Sequence, residues 1–200
     1  MANGNLQRVF VDANFWIQFG HNFSSAEAAS LEELVELGIA RVIVTDLTIS
    51  EIAKRFTKHD FEKLELLAKK EVRDAAKRHL NHEIPVIDRD VLRQSIFDSH
   101  MREVSTQLRN RFKAIVLSID SVKPSRILDD YTHSKGLFSA SSKRDQFPDA
   151  FIFGAISTEA KENDSIIVLT GDGDFAEAAK NAENLQIGRA SCRERVCSTV

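Results

Sequence analysis

Two hundred residues at net charge −3, with 42% hydrophobic and 28% charged side chains, describe an ordinary globular domain rather than a disordered or fibrous chain. The charge excludes a globally basic nucleic-acid binder, and no apolar stretch approaches the ~20 residues needed to span a bilayer. The opening MANGNLQR lacks the basic, apolar and small-residue pattern of a signal peptide, so a cytoplasmic protein with no membrane contact is expected.

The first predicted strand, Arg8–Val11, is a continuous apolar run that stops abruptly at Asp12, with Asn14, Phe15 and Trp16 close behind. A helix follows over Ser24–Leu37, with Glu27 placed as a capping-box partner of Ser24 and Gly38 as its stop. The second strand is Arg41–Thr45. The helix after it, Leu47–Thr57, puts Ile49, Ile52, Ala53 and Phe56 on one face. Two long, charged, amphipathic helices, Phe61–Leu80 and Asp90–Val116, predict a helical elaboration around residues 58–118. The loop Gly136–Phe147 (GLFSASSKRDQF) has no periodicity, as functional loops often lack it. A helix over Pro148–Lys161 begins on a proline, which a first helical turn tolerates. The last strand is Ser165–Thr170. All three strands are unbroken apolar runs, as in parallel sheets covered on both faces. Strands alternating with helices give an α/β fold with a central parallel sheet.

The segment IGRASCRERV, residues 187–196, resembles the in-frame translation of a common sequencing adapter. Residues 1–186 are therefore read as one domain and 187–200 as a non-native tail. That tail holds both cysteines, Cys192 and Cys197. It also carries three Arg against one Glu, so the remainder has net charge −5 and no cysteine. Disulfides and thiolate zinc sites are excluded for that remainder.

Open α/β sheets bind ligands beyond the carboxyl ends of their strands. Asp12 follows the first strand. Asp46 and Glu51 follow the second, in TDLTISE. Asp149 starts a helix in QFPDAF, and Asp172 and Asp174 follow the last strand in TGDGDF. Each acid alone has an ordinary explanation in turn chemistry, helix-end charge or solvation. Together they predict a cluster of mutually repelling carboxylates at one sheet edge, which a divalent cation would neutralise. Hard oxygen ligands select Mg²⁺ or Mn²⁺ over zinc.

The blocks VFVDANFW, ISEIAKRF, QFPDAFIF and VLTGDGDF, in this order, resemble the PIN-domain nucleases. The likeness is closest to a bacterial subgroup with inserted helices and a QFPDA-type motif, and it covers most of residues 8–180. It implies a three-layer α/β/α fold and a Mg²⁺- or Mn²⁺-dependent endoribonuclease. It carries over Asp12, Glu51, Asp149 and Asp172 as the catalytic and metal-binding quartet, Asp174 as a fifth candidate ligand, and Asn14 and Thr170 as polar neighbours. A terminal strand native to such a fold is expected to be lost after Gln186. The resemblance also leaves open a toxin role with an antitoxin-type protein partner, and a homodimer. No feature of the sequence marks either one.

An acidic chain acting on RNA needs local cations. Lys143 and Arg144, in the loop before Asp149, are expected to touch phosphate, as is Lys54 with its neighbours Arg55 and Lys58. Lys70, Arg73 and Lys77 read as a solvated face, and His79 and His82 as a solvated helix end. Trp16 and Phe15 are expected to pack on the sheet, with Tyr131 and Phe138 as exposed stacking candidates. Three alternatives stand beside the nuclease. A haloacid-dehalogenase-type phosphatase wants a second acid where Asn14 stands. A receiver-like Mg²⁺-binding module wants a lysine where Thr170-Gly171-Asp172 stands. A non-catalytic scaffold has no use for the full quartet.

Overall fold

The computed structural model describes residues 6–139, 146–163 and 165–188. Five strands form one parallel sheet in the order β3-β2-β1-β4-β5. They are β1 (Gln7–Val11), β2 (Ala40–Thr45), β3 (Ile115–Leu117), β4 (Ile166–Leu169) and β5 (Leu185–Gly188). The helices are α1 (Ala13–Gln18), α2 (Ala26–Glu36), α3 (Asp46–Leu64), α4 (Lys70–Leu80), α5 (Arg89–Asn110), α6 (Pro124–Thr132), α7 (Phe147–Glu162) and α8 (Gly173–Lys180). Val9 lies opposite Val42 on one side and Ile167 on the other.

Successive strand residues point to opposite faces, and both faces are buried. Val9, Val11, Val42 and Val44 enter a core with Trp16 of α1, Leu31 of α2, Ile52 and Phe56 of α3, and Leu108 of α5. Phe10, Ile43, Ile166 and Val168 enter a second core under α6, α7 and α8. The result is the expected three-layer α/β/α arrangement. Trp16 anchors the first layer: fully buried, it packs on Phe19, Phe23 and Phe112 with ring centroids 4.8–5.5 Å apart. Its indole N–H donates to the Val11 carbonyl at 3.0 Å, which satisfies its one polar atom. Among the described residues, no helix is long and apolar enough to cross a membrane.

Several elements differ from the sequence expectation for identifiable reasons. Ser25 caps α2, accepting from the Ala28 N–H at 3.2 Å, in place of Ser24. Helix α3 does not stop at Thr57 but runs 19 residues to Leu64, because buried Phe61 extends its apolar stripe. A 3-10 turn at Glu65–Ala68 then separates it from α4. Helix α5 ends at Asn110, and Lys113 takes a left-handed φ of +46° as the chain turns into β3. Val116, expected in that helix, is thus a strand residue. The fifth strand was not expected from the sequence. It takes in Ile187 and Gly188, which pair with Val168 and Leu169. Gly136–Ser139 forms a 3-10 turn. Phe138 within it is 1% exposed against Tyr131 and Phe147, so it is no surface stacking platform. Lys143 and Arg144 lie outside the described residues.

Candidate functional site

The strand order reverses between β1 and β4, since β2 and β3 are added on one side and β4 and β5 on the other. Such a switch point leaves a crevice beyond the carboxyl ends of the two strands. Asp12 leaves β1 into that crevice, and Thr170-Gly171-Asp172 leaves β4 beside it. Glu51 projects from the second turn of α3, after β2. Asp149 stands in the first turn of α7, whose N-terminus lies at the same edge because α7 runs back to start β4. Asp12, Asn14, Glu51, Lys54, Asp149 and Asp172 line one open cleft of about 360 Å³.

Thr170 fixes the geometry of the cleft floor. Its hydroxyl donates to Asp12 Oδ2 at 2.9 Å, and its oxygen accepts the Asp172 N–H at 3.0 Å. The Asp12 N–H is itself held by the Leu169 carbonyl at 2.9 Å. Asn14 adds a long contact to Asp12 Oδ2 at 3.5 Å. Asp12 occupies the N-cap position of α1, yet its side chain makes no capping bond. Its oxygens go instead to the Thr170 hydroxyl, the Asn14 amide and the Ala13 backbone. Asp172 combines both roles. Its Oδ1 caps α8 through the Phe175 N–H at 2.9 Å while the residue also lines the cleft.

The electrostatics follow from crowding. Burial pushes the Asp12 carboxyl above its usual range, against hydrogen bonds from Thr170, the Ala13 backbone and Asn14. Burial, then the charges of Asp149 and Asp12, lift Glu51 to about 7, while Lys54 pulls the other way. Burial, then Asp172 and Asp12, lift Asp149 to about 6. No described ion pair involves any of the four acids. Such crowding favours a bound cation, which would relieve the repulsion and let the carboxyls ionise.

Two expected acids stand aside. Asp174 accepts from the Gln146 amide at 3.0 Å and is not among the residues that line the cleft. Asp46 accepts from the Ile119 N–H and the Ser118 hydroxyl, tying α3 to the end of β3. Lys54, Arg55 and Lys58 form a cationic wall along α3, as their spacing from Glu51 suggests. Arg93 of α5 joins that wall and was not foreseen. Its position depends on how α5 packs on α3, and nothing local in the sequence marks it.

A family model described as PIN domain matches residues 9–175. No curated protein and no solved structure matched the chain. The matched span takes in β1 from Val9 onward, β2, β3 and β4, and contains every residue that lines the cleft. The chain belongs to the PIN-domain family, a nuclease-type family whose members generally act on nucleic acids and typically use divalent metals.

Proposed function

We propose that this chain is a metal-dependent endoribonuclease that hydrolyses phosphodiester bonds at the acidic cleft. One observation carries the reading. Four carboxylates from four separate segments meet at the sheet's switch point, three of them partly buried, and among the described residues none of the four is held in an ion pair. Structural acids are normally paired or solvated. The donor set is all hard oxygen, which suits Mg²⁺ or Mn²⁺. Asp12 and Asp149 would be the principal ligands, Asp172 would complete the set, and Glu51 would ligate or position the attacking water. A divalent ion held there would supply water activation and charge stabilisation.

The chain's own residues do the rest. Thr170 orients Asp12 through its hydroxyl. Lys54, with Arg55, Lys58 and Arg93 beside it, offers phosphate contacts along one wall. Lys143 and Arg144 are proposed to extend that wall from the loop before Asp149. The test is cleavage of end-labelled single-stranded RNA, structured RNA and single-stranded DNA in Mg²⁺, Mn²⁺ and chelator. Metal-dependent cleavage of RNA, lost on Asp12→Asn, is the expected result. Absence of cleavage in both metals, with RNA still bound, would favour a non-catalytic scaffold instead.

A further inference from the structure

Three of the chain's six histidines gather outside the set of residues that line the acidic cleft. His21 comes from the turn after α1, His59 from α3 and His100 from α5. Asp60 of α3 stands among them. The ligand atoms of His21, Asp60 and His100 all lie within 4.8 Å of one another. We propose that these three residues form a second metal site, for a borderline divalent ion of the zinc type, which ties the α1 turn to α3 and α5.

Position separates this site from the first. Asp60 lies nine residues beyond Glu51 on α3, which is roughly 13 Å along the axis and half a turn around it. The register of Asp60 is unusual in itself. The stripe Ile49, Ile52, Ala53 and Phe56 reaches the core, and the next residue on that face is Asp60. An acid at a core-facing position needs a partner. Its partner is buried His100, whose Nε2 lies 3.0 Å from Asp60 Oδ2. That Nε2 would exchange a proton for a metal on binding. Glu103 Oε2 lies 4.0 Å from the other ring nitrogen of His100. A carboxylate in that position, drawn a little closer, is the usual means of orienting a metal-bound imidazole.

His21 completes the set. Its ring stacks on Phe56 with centroids 4.1 Å apart and lies 5.4 Å, centroid to centroid, from the His100 ring. Tetrahedral zinc with bonds of ~2.0–2.1 Å places its ligand atoms roughly 3.4 Å apart. Asp60 and His100 are within that spacing. His21 is only half-buried, and with all three ligand atoms within 4.8 Å of one another it needs a shift of at most about 1.4 Å. His59 Nδ1 bonds Asp60 Oδ1 at 3.2 Å and is the nearest candidate for the fourth position. Lys63 Nζ lies 3.8 Å from Asp60 and 3.4 Å from His59. It is an exposed cation and would have to swing into solvent. Nitrogen-rich donors favour zinc, cobalt or nickel over the magnesium that suits the cleft. The three elements joined here also supply cleft residues: Asn14 from α1, Glu51 and Lys54 from α3, and Arg93 from α5. The ion would therefore brace one wall of the cleft without touching it.

The test uses the full chain with Cys192→Ser and Cys197→Ser, so that no thiolate competes, and with saturating Mg²⁺ to occupy the acidic cleft. Zn²⁺ is titrated by calorimetry, melting temperature is followed, and Co²⁺ is added for its visible spectrum. Expected are one Zn²⁺ per chain, a raised melting temperature and the intense visible bands of tetrahedral Co²⁺. His21→Phe keeps the ring on Phe56 and should weaken Zn²⁺ by at least ~10-fold. Asp149→Asn should leave it unchanged. The absence of stoichiometric Zn²⁺ binding would overturn the site. So would binding that survives His21→Phe but falls with Asp149→Asn, which would place the ion in the cleft. The Co²⁺ spectrum decides without any variant, since an octahedral spectrum also rules against it.

Discussion

Replacing Asp149 with Asn separates a metal ligand from a structural acid, because the two roles predict opposite changes in stability. In the metal-free fold the Asp149 carboxyl rises from 3.8 to about 6, through burial first and then Asp172 and Asp12. An acid whose folded value lies above its unfolded one costs nothing below pH ~4, where it is protonated in both states. The cost grows from there to about pH 6 and is constant above. Taken at face value the rise converts to about 3 kcal/mol. Asp149 is only partly buried, so solvent screening reduces this to roughly 1–2 kcal/mol. Removing the charge also forfeits ~0.3–1 kcal/mol of favourable interaction with the N-terminus of α7. The net expectation is that Asp149→Asn is more stable than wild type by about 1 kcal/mol at pH 8 in chelator, and equal to it near pH 4. With Mn²⁺ the order reverses. Wild type gains RT ln(1 + [Mn²⁺]/Kd), about 2.7 kcal/mol at a hundredfold excess over Kd, and the variant gains far less. The assay is thermal unfolding at pH 4 and 8, with and without Mn²⁺, beside RNA cleavage. A variant that is less stable in chelator at pH 8, yet still cleaves RNA, would refute the reasoning.

Four further outcomes are expected. Apparent Mn²⁺ affinity should climb from pH 5 to 8 and then level off, because Glu51 at about 7 and Asp149 at about 6 must lose their protons to ligate; titrations at four pH values giving one affinity would contradict this. Lys54→Ala and Arg93→Ala should each weaken RNA binding and lower the salt-dependence slope by about 0.7–0.9 for each phosphate contact removed; filter binding across a salt series reads it. Gly38→Ala should cost about 1 kcal/mol, roughly 2–4 °C in Tm. The reason is that Gly38 ends α2 at φ +70° with Ile39 N–H on the Leu34 carbonyl, and an alanine at that φ is strained. Truncation after Gly188 should leave Tm unchanged, whereas truncation after Gln186 should lower it by removing the pairings of Ile187 and Gly188 with β4.

The strands β1, β2 and β4 are legible in the sequence because each is a continuous apolar run at the centre of a sheet covered on both faces. Edge strands lack that signature. β3 has three residues, and its IVL continues an apolar pattern that also fits a helix. β5 falls at the adapter-like segment, where composition gives no reason to expect a strand. The acids are legible for a topological reason: residues that follow parallel strands share one edge, so Asp12 and Asp172 need no tertiary knowledge to be placed together. Glu51 and Asp149 follow from the helix directions that right-handed crossovers impose. Asp174 shows the limit of that logic. It stands two residues from Asp172 but on a helix that turns it toward Gln146. Arg93 and the histidine cluster were invisible because they depend on how α5 lies across α3. A 22-residue amphipathic helix does not declare its partner.

The cationic wall also explains how an acidic protein can hold a polyanion at an acidic cleft. Lys54, Arg55 and Lys58 follow Glu51 at three, four and seven residues, so one face of α3 presents a carboxylate and then three cations. The two charges are coupled and not merely adjacent, because Lys54 lowers the Glu51 carboxyl against burial and two neighbouring acids. Lys54→Ala therefore removes two things at once, a phosphate contact and part of what keeps Glu51 ionised. Arg93 reaches the same wall from α5 and does not figure among the groups that shift Glu51. Its loss should weaken RNA while leaving Mn²⁺ affinity as it was. The Lys54 variant should weaken RNA and also raise the titration of Glu51 in the metal-free protein, which the Arg93 variant should leave in place. Equal titration of Glu51 in the two variants would mean that the wall only reads phosphate and has no part in tuning the acids.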